Sequence, residues 1–347
     1  MTGDLDLESG ALARLGERLR EVGVLDESER ITAQLISGGR SNLTYAVTSN
    51  GSSWVLRRPP VGHVLSTAHD MSREYRVLTA LNSASTRVPV PRTVLFCDDR
   101  EVIGTPFYLM QRVEGSVLRT AEEALSLSAA DQVRVSERLV DILGDLHSID
   151  PESIGLSDFG RPAGFMQRQL KRWSLQLADS RSRQIHGIED LAADLGATLP
   201  IQAGSAIVHG DYRLDNCLVR DSDITSVLDW EMSTLGDPLS DVGLFAVYHA
   251  GLSDIPNLVV QSPGGLGAYP PLDVLLNRYA LRTGRDLAEL DWYIAFAWFK
   301  FAVILEGIHY RSTLDATLGE GFDGVSELVQ PSVDLGRAAL ASRTRQL

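Results

Sequence analysis

The sequence predicts an α+β fold in which a small antiparallel-sheet lobe is followed by a larger, mainly helical lobe. Residues 31–113 carry short runs rich in β-branched and aromatic residues, separated by Gly, Asn, Ser and Asp turns. Beyond Gly115, apolar residues recur mostly at helical spacing. A chain of 347 residues with 44% hydrophobic and 22% charged content supplies a core for one large domain or two lobes, and is too apolar for a disordered polymer.

Taken in order, Leu7, Leu12, Leu15, Leu19 and Val22 mark an amphipathic helix over residues 5–22, expected to pack on the first lobe. Strands are expected at 31–36, 43–48, 54–57, 93–97 and 106–113. One helix over 66–81 interrupts them, with Met71, Tyr75, Leu78 and Leu81 on one face. Helices follow at 129–147, 164–178, 188–195, 272–281, 290–310 and 324–342. The short apolar runs 217–219 and 224–228 read as a hairpin, and the Gly/Pro-rich residues 261–271 as a flexible loop. The sequence shows no internal repeat or sustained low-complexity segment.

The overall charge narrows the partners. Lys and Arg total 32 against 46 Asp and Glu, a formal net charge of −14, which repels nucleic acid and anionic lipid. Cys97 and Cys217 are far apart with no CxxC pattern, so neither a disulfide framework nor a zinc site is expected. The first residues lack the basic and apolar segments of a signal peptide, and the apolar stretch 292–308 contains Lys300 and Glu306 and falls short of the roughly 20 residues a membrane span needs. A cytoplasmic protein without a membrane partner is expected. Only Lys171 and Lys300 are lysines; every other basic residue is arginine.

The strongest chemical signal is Val208-His209-Gly210-Asp211-Tyr212-Arg213-Leu214-Asp215-Asn216, followed by Asp229-Trp230-Glu231. Phosphoryl transfer needs a carboxylate to orient the attacking hydroxyl and accept its proton, and oxygen ligands to hold Mg²⁺ on the triphosphate. An Asp-x₄-Asn loop supplies both, and an acidic group after the next strand completes the metal site. Upstream, Ser37-Gly38-Gly39-Arg40-Ser41-Asn42 joins the first two strands. Its glycines would let main-chain N–H groups approach phosphates, although Gly-Gly is also an ordinary hairpin turn.

With these motifs the chain resembles the aminoglycoside phosphotransferase and choline kinase-like superfamily, relatives of protein kinases, over about residues 25 to 330. Within it, Val55-Leu56-Arg57-Arg58-Pro59-Pro60, Arg73-Glu74-Tyr75 and His209-Gly210-Asp211-Tyr212-Arg213 look most like the phosphotransferase domains related to those fused to acyl-CoA dehydrogenases. The resemblance implies a protein-kinase-like bilobal fold: residues 1–24 an N-terminal helix, 25–112 a nucleotide-binding N-lobe, and 113–347 a catalytic and substrate-binding C-lobe. It implies Asp211 as base, Asn216 and Asp229 as Mg²⁺ ligands, and Glu231 as a supporting or second-metal group. Arg213 stands where kinases place a lysine against the transferred phosphate.

For the nucleotide, the resemblance implies contacts from Gly38, Gly39, Ser41 and Asn42. Arg57 would sit on the α/β-phosphates, paired with Glu74, and the main chain of Gln111 and Val113 would receive adenine. Arg57 occupies a lysine position, a substitution that keeps charge but changes bulk and geometry. Asp241 is implied to anchor the catalytic loop, with helix capping as the alternative, and His209 to be structural. The implied reaction moves the γ-phosphate of ATP, or of GTP since the hinge uses main-chain atoms, onto a small-molecule hydroxyl. A hydroxyacyl-CoA-like metabolite is favoured over an aminoglycoside. A catalytically silent nucleotide-binding module is the alternative, with Arg57 in its favour.

Overall fold

The computed structural model describes residues 7–38, 42–59, 70–84, 86–180, 182–252, 263–313 and 324–346. It divides into two compact units, Met1–Glu114 with Ser226–Glu231, and Gly115–Thr225 with Met232–Leu347.

In the first unit, helix α1 (Ser9–Glu21) buries Ala11, Leu15 and Leu19 on one side, as their three-to-four-residue spacing requires. Strands β1 (Thr32–Gly38), β2 (Leu43–Ser49), β3 (Ser52–Arg58), β4 (Thr93–Cys97) and β5 (Phe107–Gln111) form one antiparallel sheet in the order β1-β2-β3-β5-β4. Tyr45, Val47, Trp54, Leu56, Phe107 and Leu109 share a core with the α1 leucines. Strand alternation therefore sends Arg57 to the other face from Leu56.

Helix α2 (Met71–Ser83) starts where Asp70 accepts the N–H groups of Ser72 and Arg73 at 3.0 and 3.2 Å. Its buried face is Met71, Glu74, Val77, Leu78 and Leu81, so a carboxylate lies within an otherwise apolar stripe. The expected start of this helix, at residues 66–69, lies outside the described residues. A short helix α3 (Arg100–Ile103) caps the turn into β5 on Asp99; four residues are too few to show helical periodicity in sequence.

The second unit is mainly helical: α4 (Ala121–Leu125), α5 (Ala129–Ser148), α6 (Phe165–Ser180), α7 (Ile188–Ala197), α8 (Leu239–Ala246), α9 (Leu272–Thr283), α10 (Leu290–Thr313) and α11 (Val329–Gln346). The five-residue α4 also escapes periodicity, although Thr120 and Glu123 close a capping box on it. Helix α10 is apolar on all sides and buries Trp292, Tyr293, Phe299 and Val303, as expected of a central helix. Gly243 of α8 meets it so closely that a Cβ there would lie 2.6 Å from the Tyr293 carbonyl. Acidic Glu137, Asp141 and Asp145 repeat every four residues along α5 and pair with Arg278 and Arg282 of α9.

Strand β6 (Ala206–Val208) pairs antiparallel with β9 (Thr234–Gly236), and β7 (Cys217–Arg220) with β8 (Asp223–Val227) through a tight turn at Asp221 and Ser222, both at positive φ. The three-residue pair β6–β9 was not expected from sequence. Residues 324–342 open as a 3₁₀ turn, Val325–Leu328, before α11, whose Pro331 sits in the first turn where its missing N–H costs nothing.

Of the loop expected to be flexible, residues 261 and 262 lie outside the described residues, and 263–271 are tied down. Ala268 N–H donates to Gln132, Tyr269 hydroxyl to the Ala124 carbonyl, and His249 Nε2 to the Pro270 carbonyl. Among the described residues no helix is long and apolar enough to cross a membrane.

Candidate active site

In the first unit, the Arg57 guanidinium places Nη1 3.2 Å from Glu74 Oε2 and Nη2 3.1 Å from Asp229 Oδ1. Asn42 Nδ2 donates to both Glu74 Oε1 at 3.1 Å and Glu231 Oε2 at 3.2 Å. The structure thus brings Asn42, Arg57, Glu74, Asp229 and Glu231 into one network. Tyr108, which pairs with Arg57 across β3 and β5, completes it by donating its hydroxyl to Glu74 Oε2 at 2.8 Å. Sequence reasoning missed Tyr108, because only the strand register reveals that it faces Arg57.

Glu74 is 1% exposed and Asn42 2%. Burial raises the Glu74 carboxyl above its ordinary value, opposed by Arg57 and by the Tyr108 and Asn42 hydrogen bonds. Burial also works to lower Arg57, but Tyr108, Glu74 and Asp229 together outweigh it and keep the guanidinium charged. Asp229 adopts φ 63, a left-handed conformation uncommon for a residue with a side chain.

Gly38 ends β1 paired with Leu43, and Gln111 ends β5 with its N–H on the Arg92 carbonyl. Val113 follows, half-buried. Gly39 and Ser41 lie outside the described residues.

In the second unit, the His209–Asn216 motif follows β6. Asp241, near the start of α8, accepts the N–H groups of His209 at 2.6 Å and Gly210 at 2.8 Å, and His147 Nε2 at 3.3 Å. His147 Nδ1 in turn lies 2.7 Å from the Tyr279 hydroxyl. Gly210 has φ +84, and a Cβ there would stand 2.8 Å from Met232 Cβ, so the turn into Asp211 admits only glycine without strain. His209 is fully buried and its Nδ1 accepts the Asp211 N–H at 3.3 Å, a loop-supporting position.

Asn216 Nδ2 donates to both the main-chain oxygen and Oδ2 of Asp211, at 2.8 and 2.9 Å. Arg213 Nε lies 3.4 Å from Asp211 Oδ2 and 3.1 Å from Asp215 Oδ1, with its guanidinium 5.0 Å from the Tyr248 ring centre. Lys300 of α10 donates Nζ to the Gly210 carbonyl at 2.8 Å. Sequence reading missed both Tyr248 and Lys300: an isolated tyrosine or lysine within an apolar helical run carries no motif. A five-residue π-helical segment, Val247–Gly251, follows α8 and carries Tyr248.

Burial tends to raise Asp211, but Arg213, then Lys300 and His209, and the Asn216 hydrogen bond hold it below the usual carboxylate value. Its neighbour Asp215 is pushed up by burial and by the charge of Asp211, against the pull of Arg213. The environments therefore push the two carboxyls apart, Asp211 down and Asp215 up. Beside them, Leu118, Leu139, Phe245, Leu266, Arg119 and Arg213 help line a pocket that also reaches Asp215 and Tyr248.

A buried strand-to-helix ion pair in a five-stranded antiparallel sheet, and an Asp-x₄-Asn loop clamped by an aspartate in a helical unit, define a protein-kinase-like phosphotransferase fold. The sequence profile of the phosphotransferase enzyme family matches residues 32–274, and the chain belongs to that family. It is 32% identical over 337 residues to human acyl-CoA dehydrogenase family member 11, covering 96% of this chain and 43% of that protein. It is 34% identical over 280 residues to mouse acyl-CoA dehydrogenase family member 10, covering 79% of this chain and 26% of that one. The chain thus spans less than half the length of these curated relatives.

Among solved structures, a protein provisionally named an aminoglycoside phosphotransferase from Ralstonia eutropha JMP134 superposes with TM-score 0.81 at 29% identity, covering 95% of this chain and 98% of that one. The macrolide 2′-phosphotransferase of Brachybacterium faecium gives TM-score 0.60 at 19% identity, covering 93% and 98%, a likeness of fold.

Proposed function

We propose that the chain transfers the γ-phosphoryl group of ATP to the hydroxyl of a small-molecule alcohol, with Asp211 as the base. The observation that carries this reading is the Asp211 carboxylate, held ionised by Arg213 and Lys300 and fixed by Asn216 on a loop clamped by Asp241. Asp211 orients the acceptor hydroxyl and takes its proton. Arg213 stabilises charge on the transferred group. Arg57, oriented by Glu74, holds the nucleotide phosphates in the first unit, and the main chain at Gln111 and Val113 receives the base.

The available donors fit Mg²⁺. In the second unit Asn216 spends its amide hydrogens on Asp211, which leaves Oδ1 as a hard oxygen ligand, and in the first unit Asp229 and Glu231 offer carboxylate oxygens of the same kind. Bound Mg²⁺ would neutralise charge on the triphosphate.

A hydroxyacyl-CoA-like acceptor is favoured over an aminoglycoside. The charged groups lining the pocket beside Arg213 are Arg119, Arg213 and Asp215 amid leucines and Phe245, a lining suited to an apolar chain with anionic groups and poor for a polycation. The relatives named as acyl-CoA dehydrogenase family members point the same way.

The test is phosphate transfer from ATP or GTP with Mg²⁺ to hydroxyacyl-CoAs, aminoglycosides and amino alcohols, comparing wild type with Asp211→Ala and measuring nucleotide binding in parallel. Turnover that disappears in the variant supports the reading and identifies the acceptor class. Nucleotide binding with no turnover on any acceptor favours the silent module.

A further inference from the structure

Lys300 is one of two lysines in a chain that otherwise uses arginine for every basic residue. The other, Lys171, is exposed on α6. Lys300 lies on the largely apolar helix α10, between buried Phe299 and buried Phe301. Burial lowers its ammonium below the ordinary lysine value, against the opposing pull of Asp211 and Asp241. A charge in such surroundings is costly unless it is paired and hydrogen-bonded. Here it is met by the Gly210 carbonyl at 2.8 Å, by the carboxylates of Asp211 and Asp241, and by the Trp173 ring at 5.4 Å. Arg172 and Arg213 are the cations that face it.

The carbonyl it holds belongs to the peptide bond that leads into Asp211. The N–H of that peptide is held by His209 Nδ1, and the two preceding N–H groups are held by Asp241. Three consecutive peptide units are therefore fixed from their N–H sides, and Lys300 alone among these partners grips an oxygen. Gly210, at φ +84, has the freedom to rotate that oxygen away if the grip is lost. An arginine would bring a broad planar fork where the site presents a single carbonyl, whereas a lysine brings a compact point charge.

We propose that Lys300 is a positioning residue for phosphoryl transfer: by holding the Gly210 carbonyl it fixes the peptide that aims the Asp211 carboxylate at the acceptor. This rests on the proposed reaction, in which Asp211 is the base. Its partners are the Gly210 carbonyl and the Trp173 ring rather than the residues proposed to hold the nucleotide, so its loss lowers kcat and leaves ATP binding intact.

The experiment compares wild type, Lys300→Met, Lys300→Arg and the control Lys171→Met on the acceptor that wild type turns over. The readouts are kcat, KM for ATP, nucleotide Kd, and amide hydrogen exchange of the segment 208–216. Lys300→Met keeps the aliphatic stem, and kcat should fall about 100-fold, the scale of an ångström-sized misplacement of a catalytic group. KM and Kd for ATP should stay within about twofold, and exchange should rise in 208–216 while α10 stays protected. Lys300→Arg should recover part of kcat, and Lys171→Met should match wild type.

A Lys300→Met enzyme with near-wild-type kcat, or one in which kcat and nucleotide affinity fall together, overturns the proposal. If Lys300→Met does not fold, Lys300→Arg decides: unchanged kcat and exchange in that variant also overturn it. If wild type transfers phosphate to no acceptor, the phosphotransferase reading fails by itself. The exchange of 208–216 then still decides whether Lys300 holds the loop.

Discussion

Asp241 accepts the Gly210 N–H at 2.8 Å through one oxygen and the His209 N–H at 2.6 Å through the other, so one side chain satisfies two successive main-chain donors next to Asp211. Asp241→Asn replaces one acceptor oxygen by a donor facing another donor. The variant is expected to lose about 2–4 kcal/mol of stability, since a buried charged acceptor is removed and an N–H is stranded. Urea denaturation measures the loss. The kcat of the folded fraction should drop about 100-fold as the loop shifts.

Arg57 bridges Glu74 and Asp229, and Glu74 is 1% exposed. Arg57→Met strands the Glu74 charge and is expected to destabilise the first unit by about 3–5 kcal/mol. Adding Glu74→Gln removes that charge and should restore at least half of the loss in a double-mutant cycle read by urea melts. Additive losses would show that the pair is not coupled. Nucleotide affinity should fall in both variants, because neither keeps the guanidinium.

The elements legible in the sequence were those long enough to display a period. The sheet strands, α2, α5 and α10 all show it, and the Asp-x₄-Asn and Asp-Trp-Glu motifs stand out in the sequence by their spacing. Short elements escaped: α3 and α4 span barely a turn, and β6–β9 is three residues per strand. The supporting residues escaped for a different reason. Tyr108 meets Arg57 only through the β3–β5 register, and Lys300 reaches Gly210 across 90 residues of sequence, contacts that tertiary packing alone creates.

Gly210→Ala adds a methyl group at φ +84, 2.8 Å from Met232 Cβ and 2.9 Å from the Met232 carbonyl oxygen. The strained backbone alone costs about 1–3 kcal/mol. Part of that strain should be relieved by moving the loop that carries Asp211, so kcat is expected to fall further than the melting temperature implies. Thermal denaturation and steady-state kinetics on one preparation compare the two. A variant that loses stability but keeps full kcat would show that Gly210 serves the fold alone.

Stability should fall on mild acidification, and His147 is the first cause. Its ring is fully buried on α5 between Asp241 of α8 and Tyr279 of α9, with Asp237, His209 and Arg285 also close to this cluster. Burial holds its pKa below the ordinary value despite the Asp241 hydrogen bond. The unfolded chain therefore takes up a proton near pH 6.5 that the folded state refuses, and stability declines as pH drops through that value. His249, lowered by burial against its bond to the Pro270 carbonyl, acts in the same window. Asp241 is also lowered, by His147 and main-chain hydrogen bonds that overcome burial, but its contribution is complete above about pH 4 and is lost only in stronger acid. Urea midpoints between pH 8 and 5 should thus decrease steadily, each histidine contributing at most about 1.4 kcal/mol per pH unit. His147→Gln should start from a lower midpoint and show a shallower slope, and an unchanged slope would exclude His147 as the titrating group.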